Sequence, residues 1–502
     1  MKKLLLILMV LMIAVGALFA SGAKEASSSS TSTGEVKYKE HLILGTYNAC
    51  PSLDYYRVAT GSTNMIFLAA KERLVYYNPD AQEFEPSLAT SWEWDGNTVT
   101  FKLREDVYWT NGEKFTADDV VYTYEHCKEL NSTFQEKLDT VVAIDDYTVA
   151  MTLKVFDADW LHTLVAATSS ISNRKAMEES NDTTVTTGPW IITDFAADDY
   201  VVMERNEKYW GELPKTKKLT FRYIPEASAR LVALQSGDID ICFDPASVDL
   251  DLVEDDPNLR LEIGDSSKTI YLCFNTKKAP FDNVDFRKAV AYAIDKQEIV
   301  DIAKDGKAIV GASTWGPATF GFDSSITGYE QNLDLAKEYL QKVFPDGKCT
   351  VEIAVRTGDW EPIVDVLQEQ LRKIGIEVKI NVMQNAAFTE YCLNEEHEMA
   401  VSGCAWPVAA GAWANRVYTG TSGANRAKLN DPVVNDLIAR ADSGRDDAER
   451  AELYKQVQQL NEENVWYITV YYDGTKTALK KDIQGGRFDL PEKEVAYIYL
   501  PL

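Results

Sequence analysis

Apolar residues at Phe286, Ala289, Val290, Ala293 and Ile294 recur at i, i+3, i+4, i+7 and i+8, the stripe of a helix lying on a core. The run before it, residues 270–275, reads as a strand. Ala279-Pro280 then turns the chain, and Asp282 or Asn283 opens the helix. Asp295 with Glu298 forms a capping box for a second helical segment, which Gly306 ends. Further back the period changes to two. Val99, Phe101 and Leu103 alternate with Thr100 and Lys102, and Asp95-Gly96 turns a hairpin. Asn111-Gly112 makes a second tight turn. Thr116 caps a helix whose buried face is Ala117, Val120, Val121 and Tyr124, with Asp119 three residues after the cap.

The same two periods run through the rest of the chain. Residues 41–48, 219–224, 238–241 and 465–472 read as strands, and 136–157 as a strand pair. Residues 61–78 and 449–461 read as helices. Pro225-Glu226 starts a helix that Ser236-Gly237 closes. Ile363, Val366, Leu367, Leu371 and Ile374 form an amphipathic helix stopped by Gly375, and Ile376, Val378, Ile380 and Val382 alternate as the following strand. Helices interleaved with strands predict mixed α/β layers. At 502 residues the chain exceeds one core and should divide into two or three domains.

Composition refines this picture at the N-terminus. Lys2-Lys3, an apolar run from Leu4 to Leu18 and the small residues 20–23 have the order of a signal peptide, with cleavage expected near Gly22 or Ala23. A polar low-complexity leader follows. The first cysteine is Cys50, so no lipid-attachment cysteine follows the apolar run, and a free extracytoplasmic protein is expected. Seven scattered cysteines, with no C-x-x-C pair, leave at least one thiol unpaired. Cys242 and Cys273 both fall in predicted strands and could be neighbours, while buried free thiols are the expected state for most of the seven. A net charge of −27 without a basic patch argues against nucleic-acid and anionic-membrane partners.

Four blocks carry a resemblance to a known family. They are 84–125 (including Pro86, Leu88-Ala89, Trp92, Asp95-Gly96, Phe101, Leu103-Arg104, Trp109, Gly112 and Asp119-Val120), Thr187-Gly188-Pro189-Trp190, 225–241, and 271–304 with Phe274-Asn275, Pro280-Phe281, Arg287 and Asp295. Together they resemble the solute-binding proteins that feed oligopeptide, dipeptide and nickel ABC importers, solute-binding family 5, over residues 40 to 480.

That resemblance implies a two-lobed periplasmic-binding-protein fold (type II, cluster C) with mixed sheets, an extra N-terminal subdomain and a hinge. The expected parts are a signal peptide (1–22), a leader (23–39), a lobe I core (40–62, 188–275 and 480–502), a lobe I subdomain (63–187) and lobe II (276–479). It places the crossing between lobes after the strand at 270–275, with Asn275 as the hinge residue, satisfying backbone rather than touching ligand. It also places Tyr47, Asn48, Gly403, Cys404, Trp406, Trp413, Arg416 and Tyr418 in the ligand cleft. Core packing is the alternative for Trp413, and an ordinary strand end for Tyr47 and Asn48. Peptide-binding members carry an Asp in this cleft loop to pair with the ligand's α-amine. Here residues 403–414 hold no acid, and Arg416 is the nearby charge.

Enzyme signatures are absent. There is no G-x-S-x-G, H-E-x-x-H or phosphate-cradling glycine loop, and S-x-x-K at 172–175 lacks its partner motifs. His41, His126, His162 and His397 are isolated, without metal-ligand spacing. No cofactor or metal is expected. The function implied is a monomeric exported receptor that closes on a small solute, a peptide or alternatively an oligosaccharide, and delivers it to ABC permease subunits. The rivals are a secreted glycan hydrolase and a binding lobe that serves signalling.

Overall fold

The computed structural model describes residues 37–56, 61–78, 80–81, 83–264, 268–317, 319–358, 360–405, 409–419, 424–488 and 494–502. The predicted signal peptide and most of the leader lie outside them. Residues 38–501 form one compact unit. Tyr38 and Lys39, read as leader, belong to it: Tyr38 bridges to Pro501, and the Lys39 amide donates to the Leu500 carbonyl at 2.8 Å. Among the described residues no helix is long and apolar enough to cross a membrane.

The strands are β1 (His41–Thr46), β2 (Val75–Asn78), β3 (Glu83–Pro86), β4 (Ala89–Asp95), β5 (Thr98–Leu103), β6 (Leu138–Asp145), β7 (Thr148–Leu153), β8 (Trp190–Ala196), β9 (Tyr200–Arg205), β10 (Lys218–Tyr223), β11 (Ile241–Phe243), β12 (Leu259–Ile263), β13 (Lys268–Phe274), β14 (Ile309–Val310), β15 (Cys349–Arg356), β16 (Ile376–Met383), β17 (Met399–Ala405), β18 (Tyr467–Asp473) and β19 (Lys476–Lys480). A seven-stranded sheet runs β12-β19-β11-β1-β10-β9-β8, a six-stranded sheet β14-β18-β13-β17-β15-β16, and a four-stranded sheet β4-β5-β7-β6, with β2-β3 as a separate ribbon.

Strand β13 shows why the pattern folds as it does. Its side chains alternate between two cores. Ile270, Leu272 and Phe274 join Phe286, Ala289, Val290 and Leu367 on one face, while Tyr271 and Cys273 join Trp413, Tyr418 and Tyr454 on the other. The predicted stripe forms the helix Val284–Ala293, capped by Asn283, whose side chain accepts from the Asp285 amide. Fully burying Phe286 alone stabilises this packing by about 1.5–3 kcal/mol. Asp295 caps Lys296–Lys304 by accepting from the Glu298 amide at 3.0 Å.

Three readings need correction. Residues 75–78 form β2, not the end of a helix, because Val75–Asn78 pairs with Glu83–Pro86. Cys242 and Cys273 are not neighbours but lie in different sheets, and all seven cysteines are free thiols, the state expected for most of them. Asn275 is not at the crossing between sheets. Strand β13 already belongs to the six-stranded sheet, held by β17 and β18 on its two sides, so the chain crosses between Ile263 and Lys268 and returns between Asp473 and Lys476. Asn275 lies at the opposite end of β13, fully buried, its amide donating to the Glu395 and His397 carbonyls at 3.0 Å each. The resemblance drew the boundary at the end of a strand whose start carries the crossing.

His397, packed beside Asn275, is buried and its Nε2 lies 2.8 Å from the Arg426 carbonyl. Burial holds its pKa down at about 4 from an ordinary 6.5. Above pH 6.5 the ring is neutral in both folded and unfolded chains. Below it the unfolded chain takes a proton that the folded chain refuses, so stability falls as pH drops from 6.5 toward 4, by about 3 kcal/mol in all. Chemical-unfolding midpoints measured across this range should show that loss, and His397→Gln should flatten it.

Candidate functional site

In open α/β sheets, ligands bind beyond the carboxyl ends of parallel strands. In the seven-stranded sheet β1, β10 and β11 run parallel and end at Thr46, Tyr223 and Phe243. Phe243 pairs with Thr477, just after the return crossing. In the six-stranded sheet β15, β16 and β17 run parallel and end at Arg356, Met383 and Ala405. Ala405 pairs with Lys268, the first residue after the outward crossing. Register alone therefore sets the carboxyl ends of both sets of parallel strands beside the crossings.

The first rim is fixed by Arg230, which is 1% exposed. Its guanidinium donates to the carbonyls of Ile224 (2.6 Å), Pro225 (2.8 Å), Phe243 (3.0 Å) and Asp244 (2.6 Å), tying the ends of β10 and β11 together. The half-buried Tyr47 ring lies 6.0 Å from that guanidinium. Burial, then the negative charge of Asp244, raises its phenol pKa. The Asn48 amide donates to Ser62 Oγ at 3.2 Å, seating the β1 end on the helix Gly61–Ala70. Tyr47 and Asn48 thus follow directly on the carboxyl end of β1.

On the second rim Gly403 pairs with Ile270, and there is no room for a side chain. A Cβ would lie 2.9 Å from the Thr269 carbonyl oxygen and 3.1 Å from Trp360 Cζ2. Cys404 follows, its thiol pushed well up by burial and so unreactive. Trp413, on the helix Ala410–Tyr418, is 6% exposed, with the exposed Arg416 guanidinium 5.8 Å from its ring. Core packing therefore accounts for most of Trp413. Tyr418 departs from expectation. It is fully buried among Trp315 (5.6 Å), Tyr467 (5.4 Å) and Trp466 (6.5 Å), its hydroxyl bonded to Thr314 Oγ1. One helical turn from the rim, it faces the core. Trp406 lies outside the described residues.

Sequence reasoning missed Arg356 and Trp360. Arg356 ends β15, and its guanidinium lies 3.8 Å over the Trp360 ring, a cation held flat by stacking. A basic residue at the end of an alternating strand, followed by Gly358 and Trp360, was the available signal. At the crossings sits Asp473, with Lys476, Lys304 and Lys268 at 3.0, 3.3 and 3.7 Å. Burial opposes its charge, yet those three ammonium groups hold its carboxyl below the ordinary range. Among the described residues no group of three or more His, Cys, Asp or Glu is placed to hold a metal ion.

The profile described as "Bacterial extracellular solute-binding proteins, family 5 Middle" matches residues 83–425. Heme-binding protein A of Haemophilus influenzae is 27% identical over 82% of this chain and 83% of its own. Di/tripeptide-binding protein 1 of Pseudomonas aeruginosa is 25% identical over 90% and 92%. Among solved structures, HbpA2 from Haemophilus parasuis superposes with a TM-score of 0.85 at 23% identity, covering 92% of this chain and 100% of that one. DppA from Helicobacter pylori, in complex with the peptide STSA, gives 0.73 at 23%, covering 93% and 99%. The fold is that of a type II periplasmic binding protein.

Gly403→Ala tests the tight second rim. The added methyl meets the Thr269 carbonyl and Trp360, so it should lower stability by about 1–3 kcal/mol by overpacking. The denaturant midpoint should fall, and the Trp360 environment should change in near-ultraviolet dichroism.

Proposed function

The chain belongs to the bacterial extracellular solute-binding proteins of family 5, and on that premise we propose that it is the peptide-binding component of an ABC importer. Proteins of this family bind solute rather than convert it, which sets aside the hydrolase reading. The seven-stranded sheet with its four-stranded neighbour is one lobe, the six-stranded sheet is the other, and the paired crossings are the hinge. Ligand contacts made with both rims stabilise the closed form, which is presented to membrane permease subunits.

The observation that carries the cargo assignment is the charge of the second rim. Arg356 lies flat on Trp360, Arg416 stands beside Trp413, and residues 403–414 contain no acid. Guanidinium groups so placed suit a carboxylate, and nothing in that loop selects a free amine. The relatives named for dipeptides and di- or tripeptides support a peptide. We therefore assign a peptide read through its C-terminal carboxylate and tolerant at its N-terminus.

Calorimetry with one peptide in three forms tests this. N-acetylation should change affinity by less than about threefold. C-terminal amidation should weaken binding roughly 10- to 100-fold, the loss of one charge-assisted contact of about 1.5–3 kcal/mol. Arg356→Ala or Arg416→Ala should remove that preference. Thermal stabilisation by sugars and by no peptide would overturn the cargo assignment.

A further inference from the structure

The lobes meet at a second place, far along the chain from the hinge. After β7 the subdomain extends through Phe156–Asp159 to the short helix Trp160–Leu164. An ion pair between Lys137 and Asp157, and the Asp159 amide donating to Asp157 Oδ1 at 3.0 Å, shape this segment. Asp159 then directs its carboxylate wholly across the gap. Oδ1 pairs with the Arg450 guanidinium, both side chains being 5% exposed, and Oδ2 accepts the Gly411 amide at 2.8 Å. Around it the Ala158 amide donates to the Asp442 carbonyl at 3.0 Å. Arg445 covers the Phe156 ring at 3.8 Å and donates to the Gly96 carbonyl at 2.7 Å.

Both hydrogen-bonded oxygens of Asp159 thus meet the six-stranded lobe, and its side chain makes no cap bond to its own helix. Its partner Gly411 lies in the first turn of Ala410–Tyr418, the helix that carries Trp413 and Arg416. The approach has no spare volume: a Cβ on Gly411 would lie 2.7 Å from Asp159 Oδ2 and closer still to Asp442 Oδ1. Arg450 does not depend on the contact for its position, since it also donates to the Ala441 carbonyl at 2.9 Å and to Asp447 at 2.7 Å. The socket is therefore built within one lobe, and the carboxylate arrives from the other.

We propose that Asp159 is the positioning residue of closure, a cross-lobe latch whose carboxylate enters the Arg450–Gly411 socket only when the lobes meet and then fixes the helix bearing Arg416. The proposal rests on the clamp reading above, and deepens it by joining closure to the ligand-facing helix. When the lobes part, water solvates Asp159, and Arg450 keeps its bonds to Ala441 and Asp447. Neither group is then stranded in an apolar place.

The test uses the full chain with spin labels on non-canonical residues at Val155 and Val433, which are 71% and 56% exposed on opposite sides of the latch. Distance distributions are recorded without ligand and with trialanine. Wild type should show a short-distance population that Asp159→Asn reduces roughly tenfold in whichever state it is largest. Gly411→Ala should do the same with helix content unchanged, since alanine favours a helix. The unliganded melting temperature should stay within a few degrees for both. Equal distributions in wild type and Asp159→Asn would overturn the latch, as would a melting collapse with the short population intact. A latch effect without any response to trialanine would overturn the cargo assignment and leave the latch standing.

Discussion

Asp473 joins everything that must stay together where the chain passes between its two large sheets. It ends β18, pairs with Lys268 at the start of β13 and with Lys476 at the start of β19, and reaches Lys304 on the neighbouring helix. The two crossings also touch directly: the Gly264 amide donates to the Thr475 carbonyl at 2.9 Å. Glycine is required at 474, where a Cβ would sit 2.9 Å from Ile263 Cγ2 and nearer to the Gly264 carbonyl oxygen. Three ammonium groups hold this buried carboxylate below the ordinary range although burial opposes its charge. The ion cluster and the close-packed glycine together hold the two crossings side by side.

The rims follow from those crossings. Because parallel strands in both sheets end toward the crossings, closure brings together strand ends, where backbone groups and loop side chains are open to a ligand. Arg230 makes the first rim rigid by gathering four carbonyls at the ends of β10 and β11. The second rim is made rigid by packing, with Gly403 against Thr269 and Trp360, and Arg356 flat on Trp360. A long arginine held by stacking loses less side-chain entropy on meeting a carboxylate than a free one would.

Periodicity made most of the fold legible. The helix Val284–Ala293, the hairpin of β4 and β5 and the helix–strand pair ending in β16 follow directly from the spacing of apolar residues and the caps Asn283 and Asp295. Three departures from the sequence reading have separate causes. The resemblance put Asn275 at a crossing, and β13, apolar on both faces, carries nothing along it that tells which sheet holds it. Residues 75–78 followed a helix and were absorbed into it. Tyr418 shares a helix with Arg416, yet two residues along an α-helix turn a side chain from solvent to core. Arg230 and Asp159 were illegible for a stronger reason: each acts on groups remote in sequence, and neither belongs to a recognisable spacing.

A clamp must rest near balance between open and closed, because cargo shifts that equilibrium only by its differential contacts with the two states. A latch of Coulomb attraction alone would close the lobes without cargo. The Asp159–Arg450 pair is 5% exposed on each side, so its attraction is set against the loss of hydration of both ions, and such pairs come out near neutral overall. What remains is geometric. Asp159 Oδ2 meets the Gly411 amide in one orientation, without room for a methyl group, so the helix carrying Arg416 takes a single position when the lobes close. A near-neutral energy with a strict geometry suits a receptor whose cleft loop has no acid for the ligand's amine. Position, rather than an added charge, then holds the remaining arginines where a carboxylate can find them.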